Sequence, residues 1–141
     1  MLCALKQSSE QVTKWIQDDM RKSEGWAWPV HVGFHANESM RTVHLHVISS
    51  DLISPKLKNK KHYNSFHPGL GFFLHLDDVF RQVEADRAKE KSAAEFDKLL
   101  RRPLASHYTG DEYANLPKLK VGHSQGCGIR CRNVLMFRLA S

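Results

Sequence analysis

Three stretches of the chain carry a regular pattern of apolar and polar residues, and they predict a helix, a β-hairpin and a second helix. Over residues 8–24 the apolar side chains fall on one helical face, and Ser8 followed by Gln11 fits an N-terminal capping box. Gly25 is suited to the end of that helix. The second helical pattern is carried by Leu76, Val79, Phe80 and Val83.

The two runs between these helices alternate with a period of two, as strands with one buried face do. Residues 36–41 form a suitable short connection, so the two runs predict a hairpin. Side chains two residues apart share one face of a strand, so His44 and His46 should project together, opposite the aliphatic set. That aliphatic set is Val30, Val32, Phe34, Val43, Leu45 and Val47.

The other segments are less periodic. Residues 54–66 are polar, lysine-rich and aperiodic, which predicts a loop. Toward the C-terminus the composition changes to Gly, His, Cys and Arg, and we place a domain boundary near residue 101. The predicted fold class is α+β: an antiparallel sheet with flanking helices over residues 1–100, followed by a small segment over residues 101–141.

Composition and charge narrow the class of protein. The 141 residues are 41% hydrophobic, enough for one domain with a core, or one domain with a small appendage. The formal charge of +6 favours a polyanionic partner, although a merely solvated basic surface is the commoner explanation. No signal-peptide pattern is present, no apolar run approaches the roughly 18–20 residues of a membrane span, and the three cysteines are an odd number. We therefore expect a soluble intracellular protein.

Taken alone, the H-x-H pair at His44 and His46 allows three interpretations. With nine histidines in the chain, one alternating pair can arise by chance. Two imidazoles could chelate zinc, but further ligands would have to be found. An imidazole could also attack phosphorus, if cationic or donor groups stabilise the phosphate charge.

A longer combination of residues is more specific than this pair. Residues 33–36 (GFHA), 39–40 (SM) and 44–49 (HLHVIS) resemble the histidine-triad hydrolases. Residues 54–66 (SPKLKNKKHYNSF) narrow the resemblance to the aprataxin branch, and the likeness recurs at residues 115–120 (NLPKLK). The resemblance implies a partial histidine-triad domain followed by a zinc-finger-like segment.

The resemblance also implies an activity. Its members are DNA 5′-adenosine monophosphate hydrolases, which act in single-strand break repair in the nucleus and remove the AMP left by abortive ligation. The implied partners are DNA with 5′-adenylated nicks or breaks and other DNA-repair proteins, with AMP as a product and no membrane. Catalysis in the family proceeds through an AMP–histidine intermediate and requires no cofactor.

The resemblance assigns roles to individual residues. His44 matches the attacking histidine, His46 the histidine that holds the phosphate oxygens, and His35 a histidine near the scissile phosphate. Ser39 and Thr42 match phosphate-binding positions. Thr42 stands where the family has the first histidine of its triad, and a threonine can donate a hydrogen bond but cannot share a proton as imidazole does.

The lysine-rich segment is the predicted DNA-binding element, formed by Lys58, Lys60, Lys61, His62 and Tyr63. Lysines neutralise backbone phosphates without reading sequence, which suits an enzyme that acts on breaks wherever they occur. The alternative is a solvated loop. For Tyr63, stacking on a terminal base pair and burial as a loop anchor are equally good interpretations.

Histidine-triad domains place strands and a helix before the hairpin, which here starts about 30 residues from Met1. We therefore expect an N-terminally incomplete domain with an incomplete adenine pocket and one exposed sheet edge. Two further functions stay open: a histidine-triad hydrolase of small AMP conjugates, which the lysine segment argues against, and a catalytically inactive DNA-binding remnant.

The zinc finger of the family is degenerate in this chain. Ser106 and Thr109 stand at its two cysteine positions, and Gly122 stands at its histidine position, with His123 one residue late. Serine and threonine are poor zinc ligands, so we expect no metal site. The remaining array of His123, Cys127 and Cys131, which His107 could join, matches no common zinc spacing.

Overall fold

The computed structural model describes residues 2–37, 44–84, 91–126 and 137–140. Its helices are α1 (Leu2–Glu24), α2 (Lys60–Phe66), α3 (Leu76–Glu84), α4 (Ala93–Leu100) and α5 (Leu116–Gly126). Its strands are β1 (Val30–His35), β2 (His44–Ser49), β3 (Phe73–His75), β4 (Leu104–Ala105), β5 (Glu112–Tyr113) and β6 (Phe137–Ala140). None of these helices is long and apolar enough to cross a lipid bilayer.

The main sheet is antiparallel and has the order β3-β1-β2-β6, while β4 and β5 form a separate two-stranded sheet. The predicted α+β class, an antiparallel sheet with flanking helices, is thus confirmed. The expected exposed edge does not fall on the hairpin, because β3 covers β1 and the C-terminal strand β6 covers β2. Both hairpin strands are therefore interior strands of the sheet.

One face of the sheet packs against α1 and α3. Ile16 and Met20 of α1 bury Val47, and Leu5 of the same helix packs in a cluster with Phe34. Leu76 at the start of α3 joins that second cluster, which also contains the fully buried Leu45. The described members of the aliphatic set that the period of two predicts lie on this face.

The opposite face is also covered. Its core is formed by α2, α5 and short segments around them, and it contains Ile48, Leu52, Leu57, Tyr63, Phe66, Phe73, Leu104, Leu116 and Leu119. Asn64 of α2 donates hydrogen bonds of 3.0 Å to the carbonyl oxygens of Leu100 and Arg102. These bonds fasten α2 to the end of α4 and the turn after it. Leu104, Leu116 and Leu119, which follow, pack into the core on this face.

Helix α1 starts earlier than the sequence pattern suggests. It begins at Leu2, so Ser8 lies inside the helix and the predicted capping box at that position is wrong. The reason is that Leu5 extends the buried stripe by a further turn. The predicted end is confirmed: Gly25 has φ +80°, and its N–H donates to the carbonyl oxygen of Arg21.

The loop predicted over residues 54–66 contains helix α2, and this expectation was wrong. The Asn59 side chain accepts a hydrogen bond from the backbone N–H of His62 and caps the helix. Tyr63 and Phe66, three residues apart, lie on its buried face. The predicted second helix is confirmed as α3, whereas the boundary near residue 101 stays a prediction.

Gly33 provides a test of the sheet. A Cβ atom at this position would lie 2.2 Å from the carbonyl oxygen of Leu74 in β3, a contact that requires the backbone to move. We expect Gly33→Ala to lower the free energy of unfolding by about 2 kcal/mol or more. Urea denaturation measures this change. At the control position, Gly69→Ala, the nearest atom is 3.2 Å away in the His67 side chain, and a comparable loss there would contradict the argument.

Candidate active site

Three histidine rings meet on the face of the sheet opposite α1. The ring centroids of His35 and His46 are 4.3 Å apart, and those of His44 and His46 are 4.7 Å apart. Strand pairing explains this convergence: Gly33 lies directly opposite His46, so His35, two residues further along β1, and His44, two residues earlier in β2, project from the same face of the sheet. The three residues predicted to carry the chemistry therefore form one cluster.

Two phenylalanines hold the ring of His35. Its centroid lies 4.6 Å from that of Phe66 at the end of α2 and 5.3 Å from that of Phe72. Phe66 also lies 5.1 Å from His46, edge to face. Sequence reasoning missed these supports, although the aromatic residues closing α2 and preceding β3 were a usable signal.

Two of the three histidines are almost fully buried, whereas His35 is partly buried. His44 is 6% exposed and His46 is 8% exposed, and both belong to an interior strand. Imidazoles held in this way lose little further freedom when they act on a bound group, which favours nucleophilic or hydrogen-bonding roles. Among the described residues, no three His, Cys, Asp or Glu side chains are arranged to hold a metal ion.

Ser39 and Thr42, the predicted phosphate-binding residues, lie outside the described residues, and so do Cys127 and Cys131. The phosphate-binding roles of Ser39 and Thr42 therefore stay predictions.

The predicted DNA-binding lysines lie at the beginning of α2 and just before it. Lys58, Lys60 and Lys61 are exposed. The ammonium of Lys61 lies 3.4 Å from the Asp97 carboxylate, and that of Lys60 donates to the Arg101 carbonyl oxygen at 3.3 Å. Both contacts lie at exposed side chains, so they leave the ammonium groups in water and available to other anions.

The two aromatic members of the predicted DNA-binding set differ. His62 is partly buried, and burial, together with the nearby Lys120 and Lys58, lowers its pKa. Tyr63 is fully buried and donates a hydrogen bond to the Ala105 carbonyl oxygen at 3.1 Å. It is therefore an anchor of α2, and its assignment as a residue that stacks on DNA is corrected.

The degenerate finger positions are also brought together. Ser106 Oγ lies 2.8 Å from His123 Nε2, so His123 reaches the first cysteine position despite its shift of one residue. Gly122 cannot be replaced by a histidine without rearrangement, because a Cβ atom there would lie 2.6 Å from the Tyr113 hydroxyl. The fold therefore brings His123 to the first cysteine position although it stands one residue late in the sequence, but the side chains of a zinc site are not present there.

A second group of histidines surrounds this region. The ring of His107 lies 5.3 Å from that of His123, 5.9 Å from His67 and 6.4 Å from His31. Burial, and then the neighbouring His123 and His67, lower the pKa of His107 to about 4. Burial likewise lowers the pKa values of the other three. The group is therefore uncharged at neutral pH.

Known families divide the chain into two parts. Residues 2–62 match the scavenger mRNA decapping enzyme C-terminal binding family, and residues 69–121 match the C2HE / C2H2 / C2HC zinc-binding finger family. Together with the fold and the histidine cluster, these matches define a histidine-triad-type sheet joined to a zinc-finger-like segment.

Individual relatives are more specific. The chain is 47% identical to an aprataxin of Danio rerio over 90 residues, which is 63% of this chain and 26% of that protein. It is 40% identical to an aprataxin-like protein of Drosophila melanogaster over 108 residues, 74% of this chain and 16% of that protein. The chain is aprataxin-like. It spans about a quarter or less of the length of these relatives.

A solved structure agrees with this fold. The crystal structure of an aprataxin ortholog from Schizosaccharomyces pombe superposes with a TM-score of 0.58 at 23% identity, covering 89% of this chain and 65% of that chain. At this identity the likeness concerns the fold alone.

The group of four partly buried histidines that includes His107 predicts a loss of stability in acid. Unfolded His107 takes up a proton near pH 6.5 and the folded residue only near pH 4, so its contribution is complete above pH 6.5 and falls as the pH drops toward 4. Denaturant midpoints measured from pH 7.5 to 4.5 should decline for the wild-type chain. They should decline less steeply for His107→Asn, which removes one of four such groups, and an equal slope would contradict this assignment.

Proposed function

We propose that this chain carries the catalytic histidines of a hydrolase that removes AMP from 5′-adenylated DNA ends. The observation that supports it most is the cluster of His35, His44 and His46 in an aprataxin-like sheet, where His44 and His46 are buried, beside a helix that carries exposed lysines. A role in DNA repair, in the nucleus and alongside other repair proteins, follows from the likeness to aprataxins.

The proposed first step is attack by a ring nitrogen of His44 on the phosphorus of the AMP group. A phosphorus–nitrogen bond forms, and the phosphorus–oxygen bond to the DNA 5′-phosphate breaks, so that the DNA leaves with its 5′-phosphate restored. Water then cleaves the phosphorus–nitrogen bond, releasing AMP and free His44. Both steps are displacements at phosphorus and need no oxidant or reductant.

The neighbouring rings have distinct proposed roles. His46 donates a hydrogen bond to the phosphate oxygens, where negative charge is concentrated in the transition state. His35, held by Phe66 and Phe72, lies beside His46 and supplies a proton to the departing 5′-phosphate. Fixed rings in a closed site supply these donors without a reorganisation cost.

DNA is held, in this proposal, by the lysines that precede and begin α2. The same helix ends in Phe66, which contacts both His35 and His46. The seven-residue helix α2 would therefore set the position of a duplex bound to Lys58, Lys60 and Lys61 relative to the histidines. Contacts of this kind are sequence-independent.

Replacing the nucleophile tests the reaction. We expect His44→Ala to lower the rate of AMP release from a nicked, 5′-adenylated duplex by roughly 10³-fold or more, because no other group takes over a covalent step. With labelled AMP, an alkaline quench, which preserves phosphorus–nitrogen bonds to histidine, should trap AMP–protein in the wild-type chain and none in the variant.

His75→Asn is the matched control, because His75 lies in β3 outside the three-ring cluster, and the rate should change by no more than a few-fold. Equal rates for the wild-type chain and His44→Ala would refute the nucleophile assignment. Absence of AMP release from the wild-type chain, together with intact DNA binding, would favour the catalytically inactive remnant.

Salt dependence tests the DNA surface. Replacing Lys58, Lys60 and Lys61 with alanine removes up to three phosphate contacts, each worth roughly 0.9 in the slope of log affinity against log salt concentration. We expect the slope to flatten by about 2 to 3, as measured by fluorescence anisotropy on duplexes of two unrelated sequences.

The charge-matched control replaces Lys14, Arg21 and Lys22 of α1, which lie on the other side of the sheet from α2. Its slope should stay within about one unit of the wild-type value. Equal flattening by the two triple variants would mean that only net charge matters, and the lysines of α2 would be ordinary solvated residues.

A further inference from the structure

Zinc does not fit the finger positions of this chain, and the reason is visible in the hydrogen bonds that replace it. We infer that the finger segment (residues 104–126) is held without metal by a hydrogen-bond chain from Ser106 through His123 to Asp51. Ser106 Oγ lies 2.8 Å from His123 Nε2, and His123 Nδ1 lies 3.0 Å from the Asp51 carbonyl oxygen. Ser106 is 2% exposed, so this end of the hydrogen-bond chain is shielded from water.

The direction of each hydrogen bond follows from the groups present. A carbonyl oxygen only accepts, so His123 Nδ1 carries the proton that it donates to Asp51. The neutral ring then has a lone pair on Nε2, which accepts from the Ser106 hydroxyl. Ser106 Oγ in turn accepts from the backbone N–H groups of Tyr108 and Thr109, at 3.2 and 3.3 Å.

This arrangement uses the atoms that a metal ion would need. Both ring nitrogens of His123 already have partners, and Ser106 Oγ has three. Thr109 is exposed, and its hydroxyl accepts from the N–H of Asp111 at 3.3 Å. The Gly122 position is closed by Tyr113. The finger segment therefore has a hydrogen-bonded centre at the positions where the zinc ligands of the family would stand.

The hydrogen-bond chain also joins the finger segment to the proposed active site. Asp51 lies in the connector (residues 50–59) between β2, which carries His44 and His46, and α2. Lys120 also binds this connector: its ammonium donates hydrogen bonds to the carbonyl oxygens of Ser54 and Leu57 at 2.6 and 2.8 Å. The hydrogen-bonded centre thus fastens the segment that sets α2 relative to the histidines.

The tautomer of His123 tests the inference in the wild-type chain. Nitrogen-15 NMR of the histidine rings at pH 7.5 distinguishes a protonated Nδ1 from a protonated Nε2 and from a metal-bound nitrogen. We expect His123 to carry its proton on Nδ1, in spectra that are the same with zinc sulfate or EDTA added. A protonated Nε2, or a zinc-dependent shift of the His123 signals, would overturn the inference.

Two variants separate this centre from a metal site. Ser106→Ala leaves two backbone N–H groups and the His123 lone pair unpaired, and we expect amide hydrogen exchange in the connector to accelerate roughly tenfold. Thr109→Ala, at the other former cysteine position, should change it less than twofold. Equal effects of the two variants, or unaltered exchange in Ser106→Ala, would refute the inference, and the NMR result stands whether or not the variants fold.

One metal measurement completes the test. Elemental analysis after dialysis should find well under 0.1 zinc per chain, and neither zinc nor EDTA should shift the thermal midpoint. One retained zinc per chain, with a midpoint that falls on chelation, would show that the segment binds metal after all.

Discussion

The structure depends on the antiparallel pairing of β1 with β2, in which Gly33 lies opposite His46. This pairing directs the aliphatic side chains of both strands toward α1 and the histidines toward the other face. Because the side-chain period of a strand is two, a slip of one residue would exchange the two faces and bury the histidines against α1. The absence of a side chain at Gly33 admits β3, because a Cβ atom there would lie 2.2 Å from the carbonyl oxygen of Leu74.

Helix α2 connects the two parts of the proposed site. Its first turn carries the exposed Lys60 and Lys61, and its last residue, Phe66, packs against His35 and His46. Tyr63 and Asn64, on its buried side, donate hydrogen bonds to backbone carbonyl oxygens at the end of α4 and just after it. The position of the lysines relative to the histidines is therefore determined by packing on both ends of one short helix rather than by a free loop.

In the finger segment, hydrogen bonds take the structural role that a zinc ion has in a zinc finger. A zinc ion ties a finger together by drawing four side chains to one point. Here Ser106 and His123 meet at 2.8 Å, and the Asp51 carbonyl oxygen extends their contact to the connector. A buried hydrogen bond contributes far less free energy than a metal site, and packing of Leu104, Leu116 and Leu119 into the core supplies the remaining stabilisation.

Local periodicity by itself determined the helix ending at Gly25, the hairpin faces, α3 and the shared face of His44 and His46, because each rests on side chains only a few residues apart. The resemblance added His35. Only the tertiary structure decided that Tyr63 is an anchor, that residues 60–66 are helical and that β6 covers β2. The backbone partners that Tyr63 and Asn64 of α2 bind lie 36 to 42 residues away in sequence, and those of β2 in β6 lie 90 to 96 residues away. Only the tertiary structure, likewise, shows that Ser106 meets His123. A buried polar group needs a hydrogen-bond partner, and the assembled core determines which partner comes within reach.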